Sequence, residues 1–208
     1  MFSKREAAFF ALVIFFGLAV SLLAYSITPT DPVTLTTRLL ALNGYIALSI
    51  AVIMTPFLKE ITLFFKKSFI KLHHDFATVG LLMLTLLPIL VFLQELSLDE
   101  FTLAPFIPNF ESVFLFFFYG GIVALILIYV AVGAALLRRK ITTYWRPFHA
   151  LMYLALFVGV VHASVIGIDF VNLYIKVIFD GLFAAAIGAF VLKRLQFIRL
   201  RPRVKKPV

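Results

Sequence analysis

The sequence contains no cysteine. That absence excludes disulfides, thioether-linked haem, iron–sulfur clusters and thiolate zinc sites, so any metal or cofactor falls to His, Met, carboxylate or backbone groups. Histidine is scarce as well, at four residues in 208. No G-x-G-x-x-G follows a strand-like run, and no segment of soluble composition is large enough to hold a flavin or a nicotinamide. Acidic residues number 10 against 19 Lys and Arg, a formal net charge of +9.

What fills the chain instead is apolar. Hydrophobic residues make up 63% of it, 25 of them phenylalanine, and the mean hydropathy is +1.09. A soluble domain is closer to half apolar, with its runs broken every few residues. Here several runs approach or exceed the ~20 residues that cross a hydrocarbon core. These features predict an all-α integral membrane protein, with most of the phenylalanine as lipid-facing bulk.

Six spans are expected, at about 7–27, 37–58, 75–96, 112–136, 149–168 and 175–192, joined by short connections into an antiparallel helical bundle. They form one transmembrane domain over residues 1–192, followed by a short basic tail at 193–208. The first run follows Met-Phe-Ser-Lys-Arg but lacks a small-x-small cleavage site, so it reads as a retained helix.

Charge sets the orientation. One side collects Lys4, Arg5, Lys59, Lys66, Lys67, Lys71, Arg138, Arg139, Lys140, Arg146 and the tail from Lys193. The other has Arg38 and Lys176 against Asp31, Glu95, Asp99, Glu100, Glu111 and Asp169. The positive-inside rule then places both termini in the cytoplasm of a cell (plasma) membrane protein. The positive charge is accounted for by topology and anionic lipid, and calls for no nucleic acid. The basic face also suits docking of an acidic redox partner.

The histidines are unevenly distributed. His73 and His74 stand together at the start of the third span, and His149 opens the fifth. Both spans run outward, so these three share one depth. His162 lies thirteen residues beyond His149, ~20 Å further along a helix. Two facing helices that each offer an imidazole at one depth suit the two axial positions of a haem iron. An ionisable residue inside a span, as His162 is, marks a functional candidate. Thirteen residues are ~3.6 turns, so a straight helix does not bring His162 onto the face of His149. A tilt, a π-bulge or laterally offset haems would absorb the difference.

The stretch "TYWRPFHALMYLALFVGVVHASVIGID" resembles the fifth span of ferric reductase-like transmembrane domains. The matching residues are Trp145, Arg146, His149, Tyr153, His162, Gly167 and Asp169. "KLHHDFATVGLLMLTLLPIL" resembles the third span of that family, which opens on a Leu-His pair. The resemblance covers roughly residues 37–192. It implies a haem b on the cytoplasmic side held by His149 with His73, or with His74 in a shifted register; His73 is preferred because it follows Leu72. Lys71, Arg139, Lys140 and Arg146 lie where the propionates would emerge.

The outer site departs from the family pattern. Its second histidine in span three would fall where this chain has Leu87 and Pro88, neither of which ligates iron. His162 is left to hold a second haem alone, to find another partner such as Met83 or Met54, or to line a quinone site. One haem b is the expected count and two the alternative.

The function so implied is that of a b-type cytochrome moving electrons across or within the membrane, the membrane component of a multi-component reductase. Its electrons would come from a separate flavoprotein, a ferredoxin-like partner or quinol. Two other classes stay open: a haem-poor anchor subunit of a larger membrane redox complex, and a transporter or channel using His162 and Asp180. Lys176 and Asp180 lie one turn apart and are expected to pair.

Overall fold

Lipid offers no partner to a backbone amide, so a chain this apolar must close its hydrogen bonds within helices. The computed structural model describes residues 4–27, 30–66, 68–96, 102–103 and 106–199, and among these every regular element is a helix. The helices are α1 (Lys4–Ile27), α2 (Pro32–Ile53), α3 (Leu58–Phe65), α4 (Phe69–Leu96), α5 (Val113–Phe118), α6 (Gly120–Leu136), α7 (Trp145–His149), α8 (Leu151–Ile166) and α9 (Leu173–Arg199). Single 3-10 turns occupy Thr55–Phe57 and Ile168–Val171.

Among the described residues, five stretches are long and apolar enough to cross a membrane: Lys4–Ser26, Pro32–Ile53, Phe69–Leu96, Trp145–Ile166 and Leu173–Leu195. The span expected at 112–136 is instead divided at Tyr119 into α5 and the 17-residue α6. Tyr119 sits at φ −93°, ψ 11°, and Gly120 and Gly121, poor helix formers, follow it.

The other boundaries move for local reasons. α2 begins at Pro32 rather than near Thr37, because Asp31 caps it by accepting the amides of Val33 and Thr34, both at 3.0 Å. Pro32 has no amide to leave unsatisfied at that first position. Bonding to the hydroxyl and amide of Thr34 and to Val33 holds the Asp31 carboxyl below the usual carboxylate range. At its other end α2 stops before Thr55-Pro56, and the chain turns into the short α3. α4 starts at Phe69, so His73 and His74 lie inside a helix. α9 carries the chain past Lys193 to Arg199; the rest of the expected tail, 200–208, lies outside the described residues.

α2 is the hub. Leu42, Tyr45, Ile46, Ala47, Leu48, Ala51 and Val52 are all buried, packed by α4, α9, α1 and α8. Its closest neighbour is α4. A Cβ on Gly80 would lie 2.7 Å from Leu48 and 3.0 Å from the Gly44 carbonyl, and one on Gly44 would lie 2.8 Å from Leu84. Small residues at these two positions let the backbones approach, so Gly80 serves helix packing. α6 lies against α8. Outward-facing Leu12, Phe15, Leu82, Leu93 and Val177 stay exposed, the surface a bilayer would cover.

Helix direction gives the bundle two distinct ends. The basic end gathers the starts of α1, α4 and α7 with the ends of α2, α6 and α9. The acidic end gathers the starts of α2, α5 and α9 with the ends of α1, α4 and α8.

Candidate functional site

At the basic end the fold brings together His73 from α4 and His149 from α7, with ring centres 6.3 Å apart and planes at 76°. Each ring is half-buried. Phe69 stacks on His73 at 5.6 Å and 22°, and Trp145 lies 6.3 Å from His149. The sequence placed three histidines at one depth; the fold selects two of them to face the interior. His74 is exposed, its ring 6.0 Å from that of His73.

The tautomer of each ring follows from its partner. His73 Nδ1 lies 2.9 Å from the Ala51 carbonyl of α2, and His149 Nδ1 lies 3.0 Å from the Ala131 carbonyl of α6. A carbonyl only accepts, so each Nδ1 carries the proton and donates it. Each Nε2 is left as an unprotonated lone pair. Donation from one ring nitrogen to a carbonyl is the arrangement that orients a metal-binding imidazole and raises the basicity of the other nitrogen. Ala51 lies in the last turn of α2, where carbonyls lack an intrahelical partner, so the same bond completes the helix end.

Basic side chains gather around this pair. His73 feels His149, His74 and Lys193, and Lys193 in turn feels Arg146. Arg146 and Lys71 are exposed at the same end, with the Arg146 guanidinium 5.4 Å over the Trp145 ring. Lys193 lies not in a separate tail but within α9, which extends far enough for it to act on His73.

His162 lies at the other end and uses the same device. Its Nδ1 is 3.0 Å from the Phe117 carbonyl, which the interruption at Tyr119 leaves at a helix end. Nε2 again keeps its lone pair. A Cβ on Gly121 would sit 2.7 Å from that Nε2, and one on Gly120 3.4 Å from the His162 Cβ. The glycine pair therefore breaks the helix and makes room for the ring. Between His149 and His162 the helix is interrupted at Ala150, where Tyr153 bonds back to Ala150 at 3.1 Å. This tightened turn, rather than a π-bulge, reorients the two imidazoles.

His162 opens on a cavity of about 770 Å³ between α2, α4, α6, α8 and α9. Its walls are apolar over most of their extent, with Leu48, Leu84, Leu87, Pro88, Ile128 and Phe179 among them. At its acidic-end mouth stand Thr34, Arg38 and Asp169. Arg38 forms a buried ion pair with Asp169 through both Nε, at 3.1 Å, and Nη2, and also donates to the Ala24 carbonyl at 2.7 Å.

The partners considered for His162 are not at hand. Met54 is buried with Phe65, Phe69 and Leu72 at the basic end, and Met83 packs beside Gly44 and does not line the cavity. Asp180 is tied to Lys176 at 3.0 Å, both about half exposed, and is likewise absent from the cavity wall. Among the described residues no group of three or more His, Cys, Asp or Glu converges on a point. The carbonyl partners, the role of the Gly120–Gly121 break and the position of Lys193 were invisible to sequence reasoning; only the early glycines carried any signal. The chain matches no family model, no curated protein and no solved structure.

Proposed function

We propose that this chain is the haem b-carrying membrane component of an electron-transfer system, with His73 and His149 as the two axial ligands of one iron. The observation that carries the reading is the pair itself: imidazoles from two helices, both with Nδ1 bonded to a carbonyl and Nε2 free, 6.3 Å between ring centres. Two imidazoles on opposite sides of one metal, each nitrogen about 2 Å from it, put their ring centres about 6 Å apart. The residues present therefore fit the group.

Bound there, the group would supply a one-electron redox couple. The Ala51 and Ala131 carbonyls hold the ligand rings in their tautomer and orientation. Lys193 and Arg146, with Lys71 at the same end, supply positive charge for carboxylate side groups such as propionates.

The reading extends to a six-span arrangement, in which α5 and α6 together make the fourth crossing, with both termini cytoplasmic in the plasma membrane. It is the arrangement of a ferric reductase-like membrane domain. The electron donor is then a separate flavoprotein, a ferredoxin-like protein or quinol, with the basic end as the docking face.

The test is a dithionite-reduced minus oxidised spectrum of the purified protein, with haem counted as its pyridine complex. About one haem b per chain, lost in His149→Ala and in His73→Ala, is the expected result. A colourless wild type expressed with ample haem overturns the reading.

A further inference from the structure

The cavity around His162 is not used by the histidine pair, and its walls do not repeat that pair's chemistry. We propose that it binds a neutral, membrane-soluble ring compound bearing a hydroxyl donor, a hydroquinone, whose O–H is accepted by His162 Nε2, and that it selects this reduced form over the quinone.

Size and surface come first. About 770 Å³ with mainly apolar walls falls in the range of small-molecule sites. The charged groups at its mouth, Arg38 and Asp169, neutralise one another, so a net charge on the ligand would find no counter-ion there. Among the described residues no second imidazole lines the cavity, and Leu87 and Pro88 form part of the wall. The cavity thus does not offer the paired imidazoles of the basic end.

The selectivity follows from one hydrogen bond. His162 Nδ1 is committed as donor to the Phe117 carbonyl, and Nε2 makes no hydrogen bond among the described residues. Nε2 is therefore an acceptor without a donor, in a setting where an unmet acceptor is costly. A hydroquinone hydroxyl meets it. A quinone carbonyl offers a second acceptor instead and leaves both lone pairs unmet. Turning the ring over to donate from Nε2 would cost the Phe117 carbonyl its imidazole donor.

The inference stands apart from the haem reading, and its test separates the two. Duroquinol and duroquinone are titrated anaerobically by calorimetry into the full chain in phosphatidylcholine nanodiscs, with haem content measured in parallel. One duroquinol per chain is expected, bound about tenfold or more tightly than duroquinone. His162→Phe should reduce duroquinol to the affinity of duroquinone and leave haem content unchanged. Gly159→Leu, whose added Cβ meets only Tyr45 ring carbons at 3.7 and 3.8 Å, should narrow the cavity and weaken binding of both. Equal affinity for the two probes in the wild type overturns the proposal without recourse to any variant. So does loss of a haem in His162→Phe, which would give the cavity to a macrocycle.

Discussion

The basic and acidic ends of this bundle treat histidine alike up to one step and then diverge. His73, His149 and His162 each donate Nδ1 to a main-chain carbonyl of a neighbouring helix, and each presents an acceptor Nε2. At the basic end two such rings come from separate helices and meet. At the acidic end the single ring faces Leu87, Pro88 and an open volume. The lesson is that orienting an imidazole is a local matter of one hydrogen bond, whereas closing a metal site needs a second helix to supply its partner at the same depth.

The largest expected effect removes one side of the comparison. His149→Ala should abolish the haem b spectrum, while His74→Ala, an exposed ring on the same helix as His73, should leave haem content unchanged. Loss of haem in His74→Ala alone would reassign the ligand. Next, Leu87→His supplies the acidic end with an imidazole on the cavity wall. A second haem per chain by pyridine assay is expected, and a count unchanged from wild type would mean that the cavity shape, not the missing ligand, sets the difference.

Smaller effects probe the mouth and the wall of the cavity. Asp169→Ala leaves Arg38 as a buried cation without its carboxylate, and should destabilise the protein by about 3–5 kcal/mol in thermal or denaturant unfolding in detergent. Arg38→Met with Asp169→Leu should recover most of that loss. Gly121→Ala places a methyl 2.7 Å from His162 Nε2, and the displaced ring should cost about 1–3 kcal/mol with haem content at the basic end unaltered. Lys176→Ala breaks an exposed pair, and a change under about 1 kcal/mol is expected. A larger loss there would mark Asp180 as more than a surface partner.

Much of the architecture was legible before any coordinates. Twenty-residue apolar runs have few physical solutions, so the helical membrane character and the approximate spans followed from length and composition. Lys and Arg asymmetry divided the molecule into two ends, and His149 with His73 were marked by their common depth. Boundaries were less legible. Asp31-Pro32 extended α2 backward through a cap, and Tyr119-Gly120-Gly121 divided a run whose hydropathy is continuous, because hydropathy is blind to where a backbone leaves the helical region.

By itself, then, the sequence determined that this chain is built of apolar helices, that without cysteine any metal would fall to His, Met, carboxylate or backbone groups, and that position 87 offers no imidazole. Each of these depends only on which side chains exist and on how far a helix carries them along its axis. The tertiary structure alone decided which of His73 and His74 turns inward, which carbonyl fixes each ring's tautomer, and that Lys193 returns beside the pair. It also decided that a cavity opens at His162. The physical reason is rotation: sequence spacing gives depth along a helix, but azimuth and inter-helix distance arise only when α2, α4, α6 and α8 pack through their glycines and interruptions.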